Sequence, residues 1–345
     1  MNTSGCDQNS PFGSIDFLSG TLHSLAIIGI PIHVYCLYCV IIKSTENLKT
    51  FKWNILNYHV TILFFSYSIT ALASPYVFLP RMAGISFGVL KYFGVSQEGQ
   101  VLFLVANLGL LSIASTLLFE SWFHKLLNQS FKFWGKLRVL WIAIHYFSLP
   151  VLVKIAIDQI PEQNTAREEV LKHLPCLQEH SHGPEIFVLL DSTSKNIIIA
   201  FTSTTLILIA ESLFFTMLTL LLASENFHSG AVSRVTLHKQ SGFLGKLHLQ
   251  VLIPILLLIF CAAYGVISVV ADYFNPVLNN VFIISAAFHG IMSSVVLVLL
   301  HEDYRKPLLS LKKRTVKISD VTMQMSGGDT QQVVFERRNS RVVIN

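Results

Sequence analysis

A carboxylate stands in the middle of a long apolar run: Glu211, within the stretch from Asn196 to Leu222. An acid at that depth in a bilayer costs about 2.5–3.5 kcal/mol on insertion scales, so it must be protonated, paired or turned toward water. No partner for it is evident in the sequence. Thr202, Thr205, Ser212, Thr216 and Thr219 fall on one face of the same run at helical spacing. Hydroxyls so placed serve as hydrogen-bonding glue between helices; the sharper reading has Thr202 and Thr205 bordering a ligand cavity. A second stripe, Ser285, His289 and Ser293, repeats at i, i+4 and i+8. Its imidazole could bind a ligand or titrate, though a satisfied structural donor is the plainer reading. A third stripe, Ser112, Thr116 and Glu120, runs to the far end of its helix, with Asn107 earlier in that helix at cavity depth. With Tyr264 these give the ligand-binding candidates Asn107, Thr202, Thr205, Tyr264, Ser285 and His289.

Enzyme signatures are missing. The sequence has no HExxH, GxSxG, Walker loop or paired CxxC, and no catalytic residue is assigned. His173, His180 and His182 flank Cys176, but the spacing fits no zinc pattern, so no metal site is expected. A retinal protein needs a lysine in its last helix, and Asn280–His301 has none. No cofactor is expected.

These side chains must be held by membrane helices. The chain has 345 residues, 52% hydrophobic and only 13% charged, against about 25% charged in a soluble domain. A bilayer core needs about 20 apolar residues of helix. Seven such runs are present, near Gly20–Ile42, Ile55–Leu79, Gly99–Phe119, Leu137–Ile157, Asn196–Leu222, Leu247–Ala271 and Asn280–His301. The fold class is therefore an all-α membrane protein, a seven-transmembrane helix bundle. Its expected divisions are a short extracellular amino terminus (1–19), the seven-helix bundle (20–301) and a cytosolic tail (302–345) with a short amphipathic helix followed by disorder.

Orientation follows the lysines and arginines. Nineteen of the 25 lie in the loops that share a side with the tail. The opposite side holds the acidic segment Asp158–Asp191. The amino terminus is thus expected outside and the carboxyl terminus inside. The net charge of +5 is explained by this bias rather than by nucleic acid. The first run, flanked by Lys43, Lys49 and Lys52, reads as a retained signal anchor. Asn2-Thr3-Ser4 is a glycosylation sequon at Asn2. After the last span a short amphipathic helix would rest Tyr304, Leu308 and Leu311 on the membrane while Arg305, Lys306, Lys312 and Lys313 meet anionic lipid. Cys36, Cys39 and Cys261 read as small packing residues inside helices. Cys6 and Cys176 both face the oxidising side, either bridged or as two free or differently paired thiols.

Several segments resemble the nematode serpentine chemoreceptors of class H, the Srh family. They are Pro75-Tyr76-Val77-Phe78-Leu79-Pro80 with Ala83-Gly84 and Gly88-Val89-Leu90; Ile160-Pro161-Glu162-Gln163 through His173-Leu174-Pro175-Cys176; Gln250-Val251-Leu252-Ile253-Pro254; His289-Gly290-Ile291-Met292-Ser293-Ser294; and Tyr304-Arg305. Their order matches the family, and the resemblance extends to about Lys313. It implies a G-protein-coupled chemosensory receptor in the plasma membrane of sensory neuron cilia. Its implied partners are a small odorant or tastant, a heterotrimeric G protein and membrane lipids. It also pairs Cys6 with Cys176. The cytosolic switch would involve Glu120, Trp122, Tyr304 and Arg305. Here the sequence departs from the family: a Phe-Glu-Asn-Arg-like ending of the third helix reads Phe119-Glu120-Ser121-Trp122, and the usual Lys-Pro before Tyr-Arg is Glu302-Asp303. Trp cannot replace the charged fork of an arginine.

The rival reading, a transporter or ligand-gated channel, needs charged relays or broken helices near the midplane, and Glu211 is the one candidate. A seven-helix lipid-modifying enzyme would gather histidines and acids at one membrane face, whereas His59, His145 and His289 are scattered along the sequence.

Overall fold

The structure, a computed structural model, describes residues 10–44, 52–127, 132–173, 186–190, 195–228 and 234–307. Its helices are α1 (Ile15–Ile42), α2 (Lys52–Tyr67, continued by a π turn over Ser68–Leu72), α3 (Gln97–Leu126), α4 (Lys132–Asp158), α5 (Gln163–His173), α6 (Lys195–His228), α7 (Arg234–Val270) and α8 (Pro276–Leu300). All but the short α5 supply a stretch long and apolar enough to cross a membrane, seven in the described residues. The chain is a seven-helix membrane protein.

Local chemistry sets the helix starts. The Ser14 hydroxyl accepts from the Phe17 N–H, Ser96 from Gly99 and the Asn275 side chain from Leu278, each occupying a donor that a helix leaves unpaired. Asp16 and Glu98 add negative charge to two of these first turns. The second span is shorter than the apolar run suggested. Helix stops at Leu72, and Pro75–Phe78 is a strand. Pro75 disfavours helical geometry at the residue before it, and Ser74 takes a φ of 45°. Several helices also run past their apolar stretches, α6 to His228 and α7 from Arg234, because polar ends leave the bilayer without losing helical geometry.

The end of the bundle where α1 begins is called the upper end. It carries a small antiparallel sheet: β1 (Pro75–Phe78) pairs with β2 (Ala83–Ser86), Pro75 opposite Ser86 and Phe78 opposite Ala83. β2 also pairs with β3 (Phe187–Val188). Side-chain amides tie this sheet to the helices. Asn279 at the top of α8 donates to the carbonyls of Val77 and Leu79 at 3.2 and 3.4 Å. Its neighbour Asn280 donates to Phe12 and Ser14 at 2.9 and 3.1 Å. Gln97 both accepts from and donates to the backbone of Ser86, and Gln163 does the same at Val188. Gly88 lies so close to the Leu72 carbonyl that a Cβ would collide with it.

Burial ranks the helices. In α8 61% of the most apolar window is inside the protein, against 11% in α4 and in α6. α8 therefore forms the centre with α2, at 50%, while α4 and α6 give their apolar residues to lipid. The lower end is closed by Tyr304, which is fully buried. The Tyr35 hydroxyl donates to its carbonyl at 2.7 Å, and its own hydroxyl meets that of Ser44 at 3.0 Å. This corrects the expectation that Tyr304 lies on the membrane surface. A hydroxyl partner and an apolar recess at the base of α1 outcompete the interface. The contacts divide the chain after Tyr304. Leu308, Leu311, Lys312 and Lys313 lie outside the described residues.

Candidate functional site

The strongest constellation is at the lower end of α3. Glu120 is fully buried, one turn and a half before that helix ends. The Arg138 Nε sits 2.9 Å from both carboxylate oxygens, and the indole N–H of Trp134 donates to one of them at 3.0 Å. A buried carboxylate thus gains a permanent counter-charge and a third polar contact. The cation that the sequence lacks two residues after Glu120 comes instead from α4. Trp122 is buried against the rings of Phe119 and His248, at centroid distances of 5.2 and 4.8 Å.

One face of α4 supplies all of this. Trp134, Arg138, Trp141 and His145 recur at helical spacing, so they line one stripe. The lower pair grips Glu120. The upper end of the stripe reaches α6: His145 Nε2 stands 2.7 Å from the Glu211 carboxylate, and the Trp141 ring lies 4.3 Å from that of His145. Phe215, one turn along α6, packs against both tryptophans at 5.7 and 5.3 Å. Glu211 therefore has the partner that the sequence did not reveal, and it joins α6 to α4. Thr116 and Ser212 meet at 3.2 Å beside it, joining α3 to α6.

His59, His145 and His289 do not gather: His145 stands with Glu211 between α4 and α6, while His59 on α2 and His289 on α8 are buried elsewhere, as is His33 on α1. His33 Nδ1 meets the Ser294 hydroxyl at 2.8 Å. His59 sits between the Cys36 thiol at 3.9 Å and the Gln250 amide at 3.4 Å. No group of three His, Cys, Asp or Glu side chains among the described residues is arranged to hold a metal ion.

The ligand candidates divide. Tyr264 on α7 donates to the Asn279 side chain at 2.7 Å, beside Phe282. Ser285 and His289 follow down the same helix, the first half-buried and the second 1% exposed. Asn107 is buried and donates to the carbonyl of Phe103 on its own helix. Thr205 is exposed on α6. The side chain of Thr202 lies outside the described residues, as do Asn2, Cys6, Cys176, His180 and His182. Of the lower residues, Tyr304 is a buried anchor whose burial pushes its phenol up to about 12, and Arg305 is exposed. Cys36, Cys39 and Cys261 are buried free thiols, as packing residues would be.

Sequence reasoning missed Arg138, Trp134, His145, His33, Gln250, Asn279 and Asn280. The α4 stripe was visible as spacing. The partners it would meet were not, since they come from other helices.

The profile of a family described as serpentine type 7TM GPCR chemoreceptor Srh matches residues 13–314. A protein of Caenorhabditis elegans named serpentine receptor class H-72 is 22% identical over 313 residues, which cover 87% of this chain and 88% of that one. No solved structure matches the chain significantly.

Proposed function

The chain belongs to the Srh family of serpentine seven-transmembrane chemoreceptors, and from that premise we propose that it binds a small odorant or tastant in the upper half of the bundle and passes the signal to a heterotrimeric G protein at the lower end. The family is one of receptors, and nothing in the site suggests covalent chemistry. The upper end is read as extracellular from the distribution of lysine and arginine.

The observation that carries the coupling is the buried Glu120–Arg138 pair. Glu120 is fully buried and Arg138 26% exposed, so the carboxylate is stable there only while the guanidinium faces it. A rearrangement of α3 against α4 must break or keep that contact as a unit, which gives two discrete states for a ligand to bias. Arg138 is thus the residue proposed to work against Glu120 in this switch. The residues proposed to face the ligand are Tyr264, Ser285 and His289 along α7 and α8, with Asn107 and the threonines Thr202 and Thr205 across the bundle. Cys6 and Cys176 are proposed to tie the amino terminus to the loop after α5, Asn2 to carry a glycan, and sensory neuron cilia to be the site of display.

The test is a G-protein dissociation sensor in cells that carry the full chain at the surface, challenged with a panel of volatile and water-soluble small molecules. The expected result is dose-dependent dissociation for at least one compound, lost in Tyr264→Phe or His289→Ala and altered in baseline by Arg138→Ala. Trp122→Arg serves as a companion: it buries an unpaired charge, so it should lower yield rather than improve coupling. Ligand-driven ion flux in vesicles without G protein would instead support a transporter or channel.

A further inference from the structure

His289 is 1% exposed, and neither of its ring nitrogens has a hydrogen-bond partner among the described residues. Gln250 on α7 is fully buried with its side-chain oxygen likewise unmatched. Exchanging the amide oxygen and nitrogen only changes which of the two is left over, since the other faces His59. Pro254 adds a further acceptor. It has no N–H to give the carbonyl four residues earlier, and that carbonyl belongs to Gln250. Ser293, fully buried, lies one turn below His289 on the same face. Nearby stand two pairs already matched, His33 with Ser294 and Cys36 with His59.

Gln250 reaches across from α7 to His59 on α2, and the His289 ring of α8 lies against Phe65 of that same α2. Buried polar groups are nearly always satisfied, and unmatched ones in this part of the bundle call for a ligand that both donates and accepts. The set contains imidazole, amide, hydroxyl and thiol groups and no carboxylate. A cation would find no counter-charge there, and an anion no fixed cation. The fitting species is neutral, compact and able to make two to four hydrogen bonds, which is water. We propose that α1, α2, α7 and α8 enclose a hydration site, in which ordered water bridges His289 to Gln250 beside His59. The site goes beyond the receptor reading and does not depend on it. It would give the most buried helix of the bundle a polar joint that can be re-paired, where a dry packed core has one arrangement.

The experiment is X-ray hydroxyl-radical footprinting of the full chain in lipid nanodiscs, in which radicals form from water at the side chain they label. Leu297 and Val298, buried on the same helix, serve as dry controls. Labelling of His289 and His59 well above those controls, with exchange from H2-18O, is the expected result. Labelling at the level of the controls overturns the proposal. A second measurement is thermal unfolding of His289→Leu and His289→Gln. With water present, Leu strands the water and lowers the midpoint by several degrees, while Gln, which keeps a donor and an acceptor, stays near the parent. A dry site predicts the reverse for Leu, a raised midpoint, and that too overturns it.

Discussion

Glu120 decides more than any other side chain how α3 meets its neighbour. Its carboxylate is fully buried and has Arg138 and Trp134 in contact. Removing one member of a buried ion pair leaves the other unmatched, at about 3–5 kcal/mol, whereas replacing both with apolar groups is often close to neutral. Arg138→Met is therefore expected to be markedly destabilising alone, and much less so combined with Glu120→Leu. A double-mutant cycle on thermal midpoints in detergent reads the coupling. Additive losses would mean that Arg138 does not hold Glu120. The pair also accounts for Trp122. With its cation supplied from α4, the position after Ser121 is free to take a large ring, and the rings of Phe119 and His248 accept one.

At the scale of elements, α4 works as a clasp. Its lower residues hold α3 and its upper ones hold α6, while its outward face goes to lipid, as Phe133, Val139 and Phe147 show by their exposure. The upper sheet is fixed in a different way, by side-chain amides on strand and loop backbone. α5 begins with a local device of its own. Glu162 accepts from the hydroxyl and the N–H of Thr165 and from the N–H of Asn164. These bonds, the Thr165 hydroxyl foremost, hold the carboxyl down at about 2, from an ordinary 4.5. A depressed acid stabilises the folded form above its unfolded value and loses that contribution as pH falls through the folded one. The start of α5 is thus expected to hold at pH 5 and above and to loosen between about 4.5 and 2. Glu162→Gln should show the loosened state at neutral pH. Hydrogen exchange at the amides of Asn164 and Thr165 measures both, and equal protection in the variant and the parent would contradict the assignment.

For the whole molecule, the charge distribution makes one prediction that stands apart from any ligand. A tag after Asn345 should be unreachable by antibody in intact cells and reachable after permeabilisation, and a tag before Asn2 should behave oppositely. The reverse result would invert the bundle and place Glu120 on the extracellular side, removing the basis for coupling there. The seven spans were legible in the residues alone, because each needs only a continuous apolar run of bilayer length, and so was the family, through short segments in fixed order. The sequence also exposed Glu211 as an acid costly in lipid, and Glu120 and His289 as members of polar stripes. It did not determine their partners. Arg138 lies 18 residues from Glu120, His145 66 from Glu211 and Gln250 191 from His59. Helical periodicity says which side chains share a face, but not which face another helix will meet. That choice was made only when the seven helices packed, since the groups that match Glu120, Glu211 and His59 are carried by other helices.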